Sequence, residues 1–422
     1  MTKSLNADQE KAFEAVVDFM LDPNKKAMVI TGGPGTGKTF LIEHICKKFN
    51  DLVKLQKDFG VRNVNTLHVT ATTQQAVSVL GAATGHPAQT IQSLLNLRVM
   101  TDYSQRRPVT KLASTNRTHS INDALVIIDE MSYEGRTLKA FVKTLLKNSK
   151  VIHVGDYDQI LAVEDTVPSI RIENYPTTKL SIIERRQDID GVKHPITGLS
   201  ENLIEVINGG KWKPFKADGE HLYVCKTEDE FSHMLQTEFS RLNWKFQDSC
   251  IACYKNETVK NYNSLVKLWR SPTLFEKGDM VISNKKTNVG RSSIPNNAKV
   301  QVLDIEHETK KFGPYTVRGI NVATVYGYVF MPLYEQEVKV ILNYAHNTNN
   351  IELKREIDER WADFRHGYAM TADKLQGSTY NTIFVDLNDF SKVTSKNAMV
   401  RRLNVAVTRA RHKVVFYGDL KI

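Results

Sequence analysis

The sequence is poor in cysteine. Four of its 422 residues are cysteines, too few and too scattered for a disulfide scaffold. Cys250 and Cys253 have the C-x-x-C spacing of zinc and redox sites, but no second pair accompanies them. The surrounding segment reads as a strand, in which residues three apart point to opposite faces. We therefore expect two buried cysteines, with neither a metal nor a disulfide.

Long apolar runs are also missing. The sequence has no stretch of about 18 or more apolar residues, the length that a membrane-spanning helix needs. The segment 1–6 lacks the apolar core of a signal peptide. We expect a cytoplasmic protein with no membrane partner.

The charge balance is basic, with 57 Lys and Arg against 47 Asp and Glu and a net charge of +10. This excess favours a polyanionic partner such as nucleic acid, although ordinary basicity would also account for it. A chain of 422 residues is too long for one ordinary core and suggests two or three domains.

A glycine-rich loop occupies residues 32–39, between the apolar run Ala27–Ile30 and a segment with helical apolar spacing. Strand, loop and helix in this order are the context of a phosphate-binding loop, whose backbone amides point at the anion. Lys38 would reach the β- and γ-phosphates, and the Thr39 hydroxyl would bind Mg²⁺. The residues expected to bind the nucleotide here are Gly33, Pro34, Gly35, Thr36, Gly37, Lys38 and Thr39.

An acidic pair, Asp129 and Glu130, directly follows the apolar strand 124–128. Mg²⁺-dependent hydrolysis needs one carboxylate for the metal and a second group that orients and deprotonates the attacking water. We predict Asp129 as the metal ligand and Glu130 as the general base, with an ordinary acidic turn as the alternative. Gln159 follows the next strand and is a candidate sensor of the γ-phosphate, a surface loop residue being the alternative.

The order of the segments predicts an α/β fold, because strand-then-helix units with apolar strands indicate parallel sheets covered by helices. We expect a first α/β domain at 1–178, with a basic insertion at 96–120, and a second at 179–275 and 346–422. The residues 276–345 contain short strands and turns and are predicted to form a small inserted barrel. Its expected strands include Val322–Phe330 and Val338–Leu342.

Several segments together resemble the ordered motifs of superfamily 1 helicases. They are 32–39, 129–132, 155–159, 375–378 and 405–411. The compact length and the inserted barrel are most similar to the 5′→3′ branch that includes RecD and the phage Dda helicase, and the resemblance spans nearly the whole chain. It implies two RecA-like P-loop domains with a β-hairpin wedge at 96–120 and an SH3-like β-barrel. A solvated loop is the alternative to the wedge.

The resemblance implies an ATP-dependent DNA helicase with ATP and Mg²⁺ between its two domains. It would move 5′→3′ on single-stranded DNA and unwind forked duplex DNA as a monomer. Phage replication or recombination in the host bacterial cytoplasm fits this branch, with single-strand-binding or replication proteins as further partners.

The resemblance also assigns nucleotide contacts. Gln9 would read the adenine edge, although capping of the first helix with Asn6 fits equally well. Arg409 resembles the arginine finger of the last motif. Arg185 is the candidate for a second catalytic arginine, and its neighbour Arg186 is not excluded. The motif at 375–378 adds Gln376 and Gly377.

Contacts with a DNA strand are also implied, by resemblances to two further helicase motifs at 72–75 and 90–94. Three threonine hydroxyls, those of Thr72, Thr73 and Thr90, would bind DNA phosphates, with helix capping as the alternative. The second domain would add Tyr254, Asn256, Thr371 and Lys374. Tyr254 could stack on a base or belong to the core.

Other functions stay open at this point. A translocase that strips proteins from DNA shares every catalytic residue, and an RNA helicase would use the same motifs. A P-loop switch protein or kinase could use the glycine loop alone. The Asn/Thr-Lys-x-Asp segment by which GTPases read guanine is not found in a suitable place.

Overall fold

The computed structural model describes residues 4–61, 64–102, 109–160, 168–184, 193–214, 216–271 and 273–419. The chain divides into two compact units. The first contains Met1–Met100, Leu112–Phe215 and Val400–Arg411, and the second contains Thr101–Lys111, Lys216–Met399 and His412–Ile422.

The described residues before 215 form the following helices and strands. They are α1 (Ala7–Leu21), β1 (Ala27–Gly32), α2 (Lys38–Asp58), β2 (Thr66–Ala71), α3 (Gln74–Thr84), β3 (Ala88–Thr90), α4 (Ile91–Leu94), β4 (Leu97–Asp102), β5 (Val109–Ser114), β6 (Asn122–Asp129), α5 (Arg136–Leu145), β7 (Asn148–Gly155), β8 (Thr177–Leu180) and α6 (Pro195–Ile207).

The first unit is built on a six-stranded sheet in the order β3-β2-β6-β7-β1-β8. Its neighbouring strands pair in parallel, as the continuous apolar strands predicted. Parallel pairing carries the ends of β1, β6 and β7 to the same edge of the sheet. Thr31 lies opposite Gly155, and Ala71 lies opposite Asp129. The glycine loop, the acidic pair and the loop that carries Gln159 therefore begin at one edge.

The predicted hairpin insertion at 96–120 contains β4 and β5, which pair in a two-stranded sheet. Arg106 and Arg107 of this insertion lie outside the described residues. Its role as a wedge stays a prediction.

The elements after residue 215 begin with a second α/β series. They are β9 (Leu222–Cys225), α7 (Glu228–Phe239), β10 (Ser249–Cys253), α8 (Asn256–Arg270), β11 (Met280–Ser283), β12 (Thr287–Val289), β13 (Ser292–Ile294), β14 (Lys299–Gln301), β15 (Asp304–Phe312), β16 (Tyr315–Thr324), β17 (Gly327–Pro332), α9 (Glu335–Asn347), α10 (Ile351–Arg360), β18 (Phe364–His366), β19 (Ala369–Thr371), α11 (Ala372–Leu375), β20 (Tyr380–Asp386), α12 (Leu387–Phe390), α13 (Lys396–Arg409) and β21 (Ala410–Tyr417).

The second unit contains a five-stranded sheet in the order β19-β10-β20-β21-β9. Strand β10 pairs in parallel with both of its neighbours. Cys250 and Cys253 lie in this strand and are fully buried, so the prediction of buried strand cysteines is confirmed. The segment Val400–Arg411, which includes the end of α13, is grouped with the first unit.

Two strand predictions in the insertion are wrong. The segment Val322–Phe330 is a hairpin, because β16 ends at Thr324 and β17 begins at Gly327, whose φ of 115° suits a turn that other residues would resist. The segment Val338–Leu342 lies inside helix α9. Its run of apolar residues fits the period of a helix as well as that of a strand, so tertiary packing decides which of the two forms. Ile341 and Ala345, one helical turn apart, are the buried pair, and the helix packs on β16.

The β-structure of the insertion consists of small sheets around a shared apolar core. Their orders are β14-β11-β18, β12-β13 and β15-β16-β17. Strand β18 pairs with β11 although it lies beyond residue 345, so chain outside the predicted insertion contributes to this β-structure. Closure into an SH3-like barrel stays a prediction. Within the described part of the chain, the helices are too short or too polar to cross a membrane.

Candidate active site

The phosphate-loop candidate connects β1 to α2. Gly35 and Gly37 have φ values of 84° and 80°, in the left-handed region that glycine adopts at little cost. A Cβ atom on Gly37 would lie 2.2 Å from Nε2 of Gln9, so another residue would have to displace that side chain and adopt a strained backbone. Gly37 caps α2 without a side-chain hydrogen bond. The first amides of the helix are thereby presented to an anion.

Lys38 lies over this loop. Its ammonium donates to the carbonyls of Gly32 and Gly33, at 2.7 and 2.9 Å. Burial lowers the pKa of Lys38, and the nearby carboxylates of Asp156 and Asp129 oppose that shift. A cation that is poorly hydrated and held on carbonyls is well placed to transfer to phosphate oxygens.

Gln9 is buried and fixes the loop to the first helix. Its Oε1 accepts from the Asn6 amide at 3.1 Å, and its Nε2 donates to the Thr36 carbonyl at 3.3 Å. The predicted capping box with Asn6 is therefore confirmed. Recognition of adenine by Gln9 stays a prediction.

The acidic pair occupies the end of β6. Burial and the neighbouring Glu130 raise the pKa of Asp129 to about 7, against the opposing effects of the Glu130 amide and Lys38. Glu130 has φ 58° and ψ 47°, a left-handed conformation that is rare outside glycine. Strain of this kind persists only where the surrounding structure holds it, and it is concentrated at functional sites.

The residues present fit a magnesium ion. Asp129 and Thr39 would hold it, and the crowding of two carboxylates would be relieved by a divalent cation. The described residues contain no cluster of three or more His, Cys, Asp or Glu arranged for a metal. Mg²⁺ is usually bound by one or two carboxylates together with water and phosphate oxygens. The ion would polarise the phosphate oxygens during hydrolysis.

Asp156 and Gln159 form a second polar group at this edge. Asp156 accepts from the Gln159 side-chain amide at 3.0 Å and from the Asp158 amide at 3.0 Å. Gln159 is 5% exposed, and its buried Oε1 has no hydrogen-bond partner within the described part of the chain. A buried acceptor of this kind suits a water molecule or a ligand hydroxyl that arrives with the substrate.

Arg409 ends helix α13 and lies among these acids. It is 4% exposed, and its guanidinium donates to the Val405 carbonyl and the Thr408 hydroxyl, each at 3.3 Å. Burial lowers the pKa of Arg409, while Glu130 and Asp156 raise it, which places the guanidinium in the same charge cluster.

Arg401 was not predicted from the sequence. It is 8% exposed and donates to the carbonyls of Tyr157 and Gln159, at 3.0 and 2.9 Å. It lies a little over two helical turns before Arg409 on α13, with the two side chains about 80° apart around the helix axis. The sequence offered no motif that identifies it.

Arg185 and Arg186 lie outside the described residues, so their predicted role stays a prediction. The residue before them, Glu184, is anchored at the phosphate loop. Its amide donates to the Gly35 carbonyl at 2.8 Å, and its carboxylate accepts from the Asn6 side chain at 2.6 Å.

Two family models match parts of this chain. The model described as AAA domain matches residues 14–165, which include the glycine loop, the acidic pair and Gln159. The model described as UvrD-like helicase C-terminal domain matches residues 366–417, which include Arg409.

Solved structures match nearly the full length. A structure of two coordinating Pif1 helicases at forked duplex DNA has a TM-score of 0.54 and 15% identity, and covers 98% of this chain and 92% of that one. Pif1 from Bacteroides with ADP-AlF3 and single-stranded DNA has a TM-score of 0.52 and 14% identity, and covers 100% and 94%. The chain shares the α/β fold of these Pif1 structures. The predicted α/β fold with two RecA-like domains is thereby confirmed.

Two relatives match by sequence. A protein of Acanthamoeba polyphaga mimivirus is 21% identical over 97% of this chain and 99% of its own length. The ATP-dependent RecD2 DNA helicase of Deinococcus radiodurans is 26% identical over 48% of this chain and 24% of its own length. The special closeness to Dda that the sequence suggested stays a prediction.

On the first unit, the threonines predicted to bind DNA have hydrogen-bond partners within the protein. Thr73 caps α3 by accepting from the Ala76 amide at 3.2 Å. Thr90 caps α4 and donates to the Ser93 hydroxyl at 2.8 Å. Thr72 donates to the Glu130 carbonyl at 3.0 Å. The capping alternative is thus present for Thr73 and Thr90, and DNA contact stays a prediction for all three.

On the second unit, three of the predicted strand-binding residues meet at one cavity. Its polar lining includes Asn256, Asn284, Arg365, Thr371 and Lys374. Arg365 donates to Asn256 at 3.2 Å, and Lys374 donates to Asn284. Burial and the neighbouring Arg365 lower the pKa of Lys374 to about 8, which an approaching phosphate would reverse.

Asn284 and Arg365 were missed in the sequence. They come together because β11 pairs with β18 across a long sequence separation, and local sequence patterns do not reveal such pairing.

Tyr254 is half-buried, so it is not a core residue. Its amide and the Lys255 amide both donate to the buried Asp389, at 2.7 and 2.9 Å. Gln376 and Gly377 follow α11 in this unit, and their contact with nucleotide stays a prediction.

Proposed function

We propose that this chain is an ATP-hydrolysing DNA helicase that moves 5′→3′ along single-stranded DNA and unwinds forked duplex DNA. One observation carries the proposal. Lys38, Asp129, Glu130 and Asp156 interact electrostatically as one cluster with the buried guanidinium of Arg409. Phosphoryl transfer uses a loop lysine, a carboxylate for the metal, a group that positions the attacking water and an arginine that neutralises the transition state, and this cluster supplies a candidate for each.

In this cluster, the loop amides and Lys38 would hold the β- and γ-phosphates of ATP. Glu130 would orient the attacking water and accept its proton, and the Gln159 amide would contact the same water or the γ-phosphate. Arg409 would neutralise the charge that develops on the γ-phosphate as its bond to the leaving oxygen breaks. Thr39 and Asp129 would hold the magnesium ion.

The polynucleotide would be held by groups on both units. Thr73 on the first unit and the cavity residues Asn256, Arg365 and Lys374 on the second offer donors to phosphates without reading bases. The net charge of +10 supports a polyanionic partner. The DNA substrate is supported by the similarity to Pif1 structures with DNA and to the RecD2 DNA helicase. The 5′→3′ direction rests on the resemblance of the sequence motifs to that branch of superfamily 1. Replication or recombination is the pathway that we propose with them.

Stimulation of ATP turnover by single strands is the experiment that tests this function. We expect kcat to rise severalfold with an unstructured deoxythymidine oligonucleotide, less with the matching RNA, and the stimulation to weaken steeply as salt rises. Turnover that ignores every polynucleotide would favour a P-loop switch protein and overturn the proposal. Stimulation by DNA without strand separation would favour a translocase that displaces proteins.

A further inference from the structure

Thr72 connects the segment that begins α3 to the candidate general base. It is the first residue after β2, and Thr73 behind it caps α3. The Thr72 amide donates to the Asp129 carbonyl at 3.2 Å, and the Thr72 hydroxyl donates to the Glu130 carbonyl at 3.0 Å. Thr72 thus donates hydrogen bonds to the backbone carbonyls of both acidic residues.

The conformation of Glu130 makes this contact consequential. A left-handed φ of 58° is unfavourable for glutamate, so the backbone must be held by its neighbours. The Glu130 carbonyl accepts from Thr72 on one side and from the Tyr133 amide, at 3.0 Å, on the other. Fixing this carbonyl fixes the orientation of the peptide plane and with it the direction in which the carboxylate leaves the chain.

The same bond argues against a phosphate contact for Thr72. A hydroxyl has one hydrogen to donate, and the oxygens of a DNA phosphate only accept. While Thr72 donates to Glu130, it has no hydrogen for a phosphate. Thr73 is different, because it accepts from the Ala76 amide with a lone pair. The hydroxyl hydrogen of Thr73 can therefore be donated in a hydrogen bond to a phosphate oxygen.

We propose that Thr72 is a positioning residue for Glu130 and links the start of α3 to the geometry of hydrolysis. This inference rests on the proposed function, in which Glu130 is the general base. A DNA strand that binds at Thr73 would shift the adjacent residue, Thr72, which holds Glu130. The contact therefore offers a route by which a bound polynucleotide changes the rate of ATP hydrolysis.

Thr72→Val removes the hydroxyl and keeps the shape of the side chain. We expect basal kcat for ATP to fall about five- to tenfold, the effect of losing one hydrogen bond of about 1 kcal/mol. The KM for ATP and the Kd for single-stranded DNA should stay near those of the unmodified protein. Thr72→Ser, which keeps the hydroxyl, should restore kcat.

Thr70→Val is the matched control. The Thr70 hydroxyl makes the same kind of bond, to the Ile127 carbonyl at 2.7 Å, across the same pair of strands. It is fully buried, and its hydroxyl bonds to Ile127, not to the acidic pair. We expect Thr70→Val to lower the Tm and leave kcat unchanged, so loss of stability is separated from loss of positioning.

The outcomes are distinguishable. Weakened DNA binding with normal basal kcat in Thr72→Val would make Thr72 a phosphate contact and overturn the inference. Equal kcat in Thr72→Val and Thr70→Val would do the same. If the unmodified protein hydrolyses ATP without stimulation by any polynucleotide, the helicase function fails, while basal kcat still decides the role of Thr72.

Discussion

Replacing Lys38 with alanine is expected to abolish ATP hydrolysis and strand separation while leaving the protein folded. The ammonium lies on the loop carbonyls of Gly32 and Gly33 and faces the carboxylates of Asp129 and Asp156. Losing the ammonium group that would bind the reacting phosphates should lower kcat by at least about 10²–10³-fold. Steady-state ATPase and fluorescence unwinding assays measure the effect.

The fold should tolerate this change. Helix α2 is anchored by the buried side chains Leu41, Ile42 and Ile45, which Lys38→Ala leaves in place. Lys47→Ala is the matched control, because Lys47 lies on the same helix in an exposed ion pair with Glu43, of the kind that contributes little. A Lys38→Ala protein that still unwinds DNA would contradict the assignment of the loop.

Replacing Arg409 with alanine is expected to lower kcat by about 10³–10⁵-fold, the range for arginine fingers in phosphoryl transfer. Its guanidinium is buried among Glu130 and Asp156. Because the charge that it neutralises develops in the transition state, the affinity for ATP should change far less than kcat. Single-turnover hydrolysis and nucleotide binding together separate the two effects.

Arg411 supplies the control for this variant. It lies two residues further on and is exposed, so Arg411→Ala should leave kcat near normal. If Arg409→Ala lowered the affinity for ATP as much as the rate, the guanidinium would be a general binding group. A normal kcat would remove Arg409 from the mechanism.

Local sequence was sufficient for much of the site. The glycine loop, the acidic pair and Gln159 were predicted because each follows an apolar strand, and parallel strands carry their ends to one edge. The capping box of Asn6 and Gln9 was equally local. Each of these signals depends on residues a few positions apart, which is the range over which propensity and periodicity are informative.

Tertiary contacts decided the rest. Arg365 and Asn284 meet through the pairing of β11 with β18, and Glu184 reaches the phosphate loop from a distant part of the chain. The segment Val338–Leu342 was predicted as a strand, but packing on β16 selects a helix with Ile341 buried. The hydroxyl of Thr72 had several possible partners, and only the fold shows that it donates to Glu130.

Unwinding of duplexes that carry a single tail tests the central claim most directly. Two substrates with the same duplex, one with a 5′ tail and one with a 3′ tail, are compared in the presence of ATP and Mg²⁺. We expect rapid strand separation from the 5′-tailed substrate and little from the other. Failure to separate either substrate, while ATP is being consumed, would contradict the account.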